Sequence, residues 1–462
     1  TMPCTIVVGL GRSGIGAARL LHHQGEAVVL LERGNSSNHH IQAEQLRGEQ
    51  IQVELNCPLE LESFQPWFNQ LDTVVIGPGI PWDHPTLNEL RQRNVTVRGE
   101  MDLAWDALRH IPWVGITGTN GKTTVTHLLS HVLQRGGLNA PMGGNMGISA
   151  AEMARQIISG EVPTPDWLVM ELSSYQIEAA PGLSPKIGIW TTLTPDHLER
   201  HGTLEAYRAI KRGLLERSEL AILNADDPDL RQQRQRWDGG VWVSAQAQAS
   251  EGQQADLWID GEGMVHESGS CLFPAAALSM PGEHNRQNLL LVTAAARAIG
   301  LNAEQIEQGL RSFPGVPHRL ERLGRLGEAA VFNDSKATNY DAAEVALKAM
   351  PRPVVVLAGG QTKRGDAKGW LNQLKQTCCS VVLFGAGADE LDSLLQQAGY
   401  SGEVQRCGDL EHAVIQAAAA VERQQAKALL LSPACASFDQ YKDFEARGEH
   451  FRSLIKPLLR SD

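Results

Sequence analysis

The chain has 462 residues, 42% of them hydrophobic and 20% charged, with a formal net charge of −12. That length exceeds the roughly 250 to 300 residues at which one hydrophobic core stops growing, so two or three domains are expected, and the composition excludes disordered and fibrous classes. The acidic balance excludes a partner bound through its phosphate backbone, which would need clustered Lys and Arg, so no nucleic acid is expected.

In chain order, residues 5–8 read as an apolar strand with no charged signal-peptide preamble, and no apolar run approaches the ~20 residues that span a bilayer. A cytoplasmic protein with no membrane partner is the expectation. Gly9, Gly11 and Gly14 then form a turn ahead of a helix carrying Ile15, Ala18 and Leu21, and residues 27–31 read as the next strand. Glycines at the first turn of such a βαβ unit let a diphosphate approach the amides of a helix N-terminus. Glu32 stands where an NAD site carries its ribose-binding acid, so this segment alone fits an NAD enzyme as well as a protein that binds another diphosphate, such as UDP. A strand at 73–76 ends in Gly77-Pro78-Gly79-Ile80, and the first domain reads as Rossmann-like.

A second unit opens at about Ile111. Its strand at 113–116 runs into Gly118-Thr119-Asn120-Gly121-Lys122-Thr123-Thr124, and the following helix lines up Val125, Leu128, Leu129, Val132 and Leu133 on one face. The pattern departs from a strict Walker loop, since Ile116 stands where the first glycine would fall. Its chemistry survives: amides after Gly118 can cradle phosphates, Lys122 supplies a point charge, and Thr123 offers a hydroxyl to Mg²⁺. The bland alternative is a glycine turn that merely starts a helix.

Strands at 167–170, 187–192 and 220–223 each end beside polar residues, the end at which parallel sheets carry functional groups. Glu171 could direct a magnesium ion there, and His197 follows Asp196 near another strand end. Taken singly, they read equally as a solvated glutamate and a satisfied histidine. Past an amphipathic helix at 303–313, Pro314-Gly315-Val316-Pro317 punctuates the chain. Runs at 354–357, 381–384 and 429–431 then repeat the strand-and-loop theme as a third α/β unit. Two polar loops, 333–339 and 432–439, read as strand-end loops facing a ligand or as turns rich in small residues. Seven scattered cysteines without CxxC spacing imply reduced thiols, neither a disulfide framework nor a zinc site.

Together, GlyThrAsnGlyLysThrThr, GluLeuSerSerTyrGln (171–176), AspHisLeuGluArgHis (196–201), AsnAspSerLysAlaThrAsn (333–339) and LeuSerProAlaCysAlaSerPheAspGln (431–440) resemble the Mur ligases over essentially the whole chain. The last two are typical of the branch that uses glutamate. The resemblance implies a three-domain α/β protein: a Rossmann-like UDP-binding domain (1–103), a central P-loop ATPase-like domain with a mostly parallel sheet (104–313), and a Rossmann-like domain for the amino acid (314–462). It implies ATP-dependent addition of D-glutamate to UDP-N-acetylmuramoyl-L-alanine through an acyl phosphate, a cytoplasmic step of cell-wall synthesis, by a monomer using ATP and two Mg²⁺.

Residue roles follow from the same resemblance. Gly118, Thr119, Asn120, Gly121, Lys122, Thr123 and Thr124 would hold ATP phosphates, Asn285 and Asn288 its adenine side, and Arg319 and Asp334 would reach it from the last domain. Thr123, Glu171 and His197 would face metal. Gly11, Arg12, Ser13, Pro78, Gly79, Ile80, Asn145 and His197 would hold the UDP-sugar, and Lys336, Thr338, Lys363, Ser437 and Phe444 the glutamate. Lys211 matches the family lysine that CO₂ carbamylates into a metal ligand, with Arg212 competing for the alignment and the Tyr207-Arg208 pair favouring Lys211. Spacing alone makes Lys211 a solvated helix residue, and the loop at 32–38 carries no assignment. Rival readings are an NAD oxidoreductase, a nucleotide-gated switch, and a sibling ligase or folylpolyglutamate synthetase; the 431–440 loop speaks against the last two.

Overall fold

Short apolar runs alternating with amphipathic helices build three sheets in the computed structural model, which describes residues 2–246, 255–280 and 282–460. The first sheet comprises β1 (Cys4–Val8), β2 (Ala27–Leu31), β3 (Gln52–Glu54), β4 (Leu71–Ile76) and β5 (Thr96–Gly99), parallel throughout in the order β3-β2-β1-β4-β5. Successive residues of its strands enter different cores: Val7, Leu30 and Val75 belong to one apolar cluster, Ile6, Val29 and Val74 to another. Burial on both faces is why these strands read as continuous apolar runs.

The second sheet comprises β6 (Trp113–Thr117), β7 (Met142–Gly144), β8 (Leu168–Glu171), β9 (Ile187–Trp190), β10 (Leu220–Asn224), β11 (Val241–Ser244), β12 (Leu257–Ile259), β13 (Met264–Glu267) and β14 (Ser270–Pro274). Its order is β14-β13-β12-β11-β10-β9-β6-β8-β7, parallel except for the β12-β13-β14 meander at one edge. That meander went unread in the sequence, because its strands are three to five residues long and only part-buried.

These two sheets lie in one unit ending at Phe313. A single apolar cluster takes in Leu20 and Val75 of the first sheet's layers together with Trp113, Ala150, Met153 and Leu168 of the second's. The helices Arg12–His23 and Ala150–Ile158 pack so closely that a Cβ on Gly16 would stand 2.1 Å from the Ser149 Oγ. Residues 103 and 104, between which the sequence places its first boundary, lie inside the helix Glu100–Leu108, whose Leu103, Ala104 and Leu108 belong to that shared core.

The second unit starts at Pro314. It holds β15 (Glu321–Leu326), β16 (Ala329–Asn333), β17 (Val354–Gly359), β18 (Cys378–Phe384), β19 (Glu403–Arg406) and β20 (Ala428–Leu431), ordered β15-β16-β20-β17-β18-β19 with only β15 antiparallel. All seven cysteines are free. Among the described residues no helix is long and apolar enough to cross a membrane.

Candidate active site

The loop after β6 is held in shape by its glycines. Gly121, which caps the helix Lys122–Arg135, has φ 88, and Gly118 has φ 147 with so little room that a Cβ would stand 1.9 Å from the Thr191 Oγ1. The Thr119 and Asn120 amides donate to the Thr192 carbonyl and Oγ1, each at 2.9 Å. Those bonds pin the loop and leave the first-turn amides of the helix, which an α-helix cannot pair internally, as the donors for an anion. Lys122 Nζ donates to the Gly118 carbonyl at 2.8 Å, and Thr123 Oγ1 donates to Glu171 Oε1 at 2.7 Å.

Glu171 ends β8 and is buried. Its carbonyl accepts the Asn145 amide at 2.8 Å, and the backbone passes so close that a Cβ on Gly144 (φ 98) would stand 2.0 Å from that oxygen. This contact explains why two glycines precede Asn145, whose side chain is exposed.

Lys211 corrects the reading from spacing. It lies on the helix Leu204–Arg217 and is 1% exposed, with Nζ donating to Thr117 Oγ1 at 2.9 Å and to the Gly118 carbonyl at 3.1 Å. Burial first, and the Lys122 charge second, hold its pKa well below the usual amine range. Arg212 points elsewhere: it donates to Glu216 and to the Arg236 carbonyl, and its guanidinium stacks on Trp237. Two lysines thus converge on one carbonyl oxygen.

His197 has left-handed backbone (φ 53) and a ring half open to solvent, with Nδ1 2.9 Å from the Tyr175 hydroxyl. Tyr175 stacks on His201 at 5.3 Å, His201 on Tyr207 at 5.7 Å, and the Tyr207 hydroxyl lies 3.1 Å from Thr119 Oγ1. The His201 ring is enclosed, and its pKa is lowered mainly by burial. The sequence reading missed this stack between the His197 loop and the phosphate loop. Its signal was there, since Tyr175, His201 and Tyr207 all fall inside or beside the quoted motifs.

Asn285 and Asn288 lie on the helix Glu283–Ile299, and a Cβ on Gly121 would stand 3.0 Å from Asn288 Oδ1, so this segment borders the phosphate loop. Asn224, also missed, fastens it by donating to the Thr191 carbonyl and to Gln287 Oε1, both at 2.9 Å. In the first sheet, Gly11 caps the helix Arg12–His23, and a Cβ on Gly77 would stand 3.3 Å from the Ser13 Cβ, which puts the turn 78–80 beside that helix start. Arg12 Nη1 donates to the Gly147 carbonyl at 2.7 Å, joining this end to the loop that carries Asn145. Both Glu32 oxygens take main-chain amides, from Leu10 at 3.0 Å and Gly34 at 2.8 Å. The acid that suggested an NAD ribose is occupied in shaping the glycine turn.

In the second unit, the loops after β16, β17 and β20 are laced together. Lys363 Nζ donates to Thr338 Oγ1 at 3.3 Å, Gln361 and Ala436 exchange backbone bonds at 2.8 and 2.9 Å, and Ser335 Oγ donates to the Phe444 carbonyl at 2.7 Å. Ser437 is buried beside Ala436, whereas Lys336 and Arg319 are exposed. Asp334 accepts from the Leu320 amide at 3.0 Å and from Ser432 Oγ at 2.9 Å, and burial raises its pKa to about 7.

Magnesium takes one or two carboxylates and fills its shell with water and phosphate oxygens rather than a protein cage. The Thr123 hydroxyl and Glu171 carboxylate, 2.7 Å apart beside the phosphate loop, fit such an ion, and no group of three His, Cys, Asp or Glu forms a cage among the described residues.

Three family models match the chain: Mur ligase MurD-like, N-terminal domain over residues 4–99; Mur ligase middle domain over 116–296; and Mur ligase, glutamate ligase domain over 318–435. A UDP-N-acetylmuramoylalanine–D-glutamate ligase of Synechococcus sp. (strain CC9605) is 69% identical over 458 residues, covering 99% of both chains. Its counterpart in Prochlorococcus marinus (strain MIT 9313) is 64% identical, covering 99% of this chain and 100% of the other. Among solved structures, a UDP-N-acetylmuramate-alanine ligase from Thermotoga maritima aligns with TM-score 0.56 at 18% identity, covering 99% of this chain and 100% of that one. A pseudomurein peptide ligase type C from Methanothermus fervidus aligns with TM-score 0.52, also at 18% identity, with coverage of 99% and 100%. At that identity the likeness speaks to the fold alone.

Proposed function

The chain belongs to the Mur ligase family, and from that premise we propose that it joins D-glutamate to UDP-N-acetylmuramoyl-L-alanine, converting ATP to ADP and phosphate, in peptidoglycan synthesis. The observation that carries the reading is the convergence of Lys122, the Thr123–Glu171 pair and Lys211 at one strand-end loop.

Amide formation from a carboxylate in water is uphill, so the alanyl carboxylate must first become a better acyl donor. A carboxylate oxygen attacks the γ-phosphorus of ATP, the bond to the β-phosphate oxygen breaks, and ADP leaves. The glutamate amine then attacks the acyl carbon of the resulting acyl phosphate. The tetrahedral intermediate collapses by expelling phosphate, and the nitrogen gives up its proton. Two anions meet in the first step, which accounts for Lys122 and the helix-start amides at this place. Thr123 and Glu171 would hold magnesium, which would supply charge screening and orientation of phosphate oxygens.

Gly11, Arg12, Ser13, Pro78, Gly79 and Ile80 are proposed to hold the UDP moiety, and Asn145 and His197 to face the muramoyl-alanine. Asn285, Asn288, Arg319 and Asp334 would take the rest of ATP. Lys336, Thr338, Lys363, Ser437 and Phe444 would take glutamate. The divisions 1–103, 104–313 and 314–462 serve as the nucleotide-sugar, ATP and amino-acid parts. Cytoplasmic location and a monomeric state belong to the same proposal.

Carbamylation of Lys211 is supported by its burial and its depressed pKa. The neutral form of the amine attacks CO₂ and releases a proton, and the carbamate would set a negative charge opposite Lys122. The test of the whole reading is ADP release with UDP-N-acetylmuramoyl-L-alanine, supplying D- and L-glutamate separately. Release and a heavier sugar product with D-glutamate are expected; turnover without the sugar nucleotide, or none with either isomer, would overturn it.

A further inference from the structure

We propose that His318 is a positioning residue that holds the ATP-side and glutamate-side groups of the second unit in one frame; this rests on the roles proposed above for Arg319, Lys336 and Phe444. Residues 316–321 form a short strap against the 333–339 loop. Within it, His318 (φ 65) and Leu320 (φ 45) both have left-handed backbone, which non-glycine residues adopt only where their surroundings impose it. These two residues flank Arg319. What imposes the conformation is visible: the Arg319 amide donates to the Val316 carbonyl at 3.1 Å, the Lys336 amide to the His318 carbonyl at 2.9 Å, and the Leu320 amide to Asp334 Oδ1 at 3.0 Å.

The imidazole is the common point of these segments. It is 6% exposed, and its Nδ1 accepts from the side-chain amide of Asn333 at 2.9 Å, an amide that also donates to Glu321 Oε1 at 3.1 Å. The Phe444 ring meets it edge-on at 6.2 Å, at the start of the helix Phe444–Ile455. On that helix a Cβ at Gly448 would stand 2.1 Å from Nδ1, so the ring occupies the place a side chain there would need. His318 therefore ties the three segments together: its carbonyl holds the loop that presents Lys336, and its ring holds Asn333 at the head of that loop and packs on the helix start that presents Phe444, while its own backbone shapes the strap that presents Arg319. ATP-side and glutamate-side groups would move together or not at all.

The test uses the full chain with His318→Ala, His318→Asn and Gly448→Ala, measuring KM separately for ATP, D-glutamate and the UDP-sugar. His318→Ala is expected to raise KM for ATP and for glutamate about tenfold each, the loss of about one buried hydrogen bond, while KM for the UDP-sugar stays unchanged. Gly448→Ala should do the same with every ligand-facing group intact, because it displaces the ring, and it stands in if His318→Ala does not fold. His318→Asn, which tolerates left-handed backbone, should restore part of both values. Equal KM values in variants and parent, or a rise in all three together with a lower melting temperature, would overturn the proposal. Arg319→Ala and Lys336→Ala, measured alongside, separate the two failures. If those raise KM for ATP and glutamate and His318→Ala does not, the positioning role alone falls; if those leave KM unchanged, the role assignments fall and the proposal with them.

Discussion

Lys122 and Lys211 donate to the same Gly118 carbonyl, at 2.8 and 3.1 Å, and like charges that close cannot both be favourable in a buried place. Lys211 is the one enclosed by protein, so it is the one whose charged form burial and the neighbouring Lys122 disfavour. Two outcomes follow at this scale. In ¹³CO₂-equilibrated buffer the parent should show a carbamate carbon signal by NMR that Lys211→Arg lacks, and the variant, which cannot form a carbamate, should lose ligation on the order of 10²-fold. Lys122→Ala should lose kcat by a similar factor, with the melting temperature little changed because the side chain is only part-buried. Full ATP-dependent ligation by that variant would end the phosphate-loop reading. The identity of Lys122 was legible in the sequence because a phosphate loop is seven contiguous residues. The burial of Lys211 was not, because its partner Thr117 lies 94 positions away and only packing brings the two together.

Among elements, the decisive places are where a helix start meets a strand end. A Cβ on Gly14 would stand 1.8 Å from the Gly9 carbonyl oxygen, so Gly14→Ala should open the first glycine turn. We expect about 1 to 3 kcal/mol of lost stability and a raised KM for the UDP-sugar, with KM for ATP unaffected, measured by denaturant unfolding and steady-state kinetics. The join between the first two sheets carries a titratable group. Glu100 is 3% exposed and accepts the Ala151 amide at 2.6 Å, and burial raises its pKa from 4.5 to about 7. The unfolded chain releases this proton near pH 4.5 and the folded chain near pH 7, so between those values the folded state binds more protons and stability falls as pH rises. Glu100→Gln should flatten that fall, read as melting temperature against pH. An unchanged slope would show that Glu100 does not titrate as its burial dictates.

For the whole molecule, the shared core of the first two sheets makes a strong claim about where the chain can be divided. Limited proteolysis is expected to cut at 314–317, at the start of the second unit, and to release a fragment in which the first sheet stays with the second. Mass spectrometry of the stable fragments checks this; a stable fragment ending near residue 103 would contradict it, since that position lies inside the helix Glu100–Leu108. The sequence by itself determined the α/β class, the glycine turn that starts the helix Lys122–Arg135, and the family, because each is written in contiguous residues whose spacing constrains the local backbone. Only the tertiary structure decided that Glu32 serves its own glycine turn, that Lys211 is buried and Arg212 is not, and that His201 and His318 sit enclosed between loops. Those outcomes depend on which distant side chains compete for one enclosed space, and burial and shared hydrogen bonds exist only once the sheets have packed.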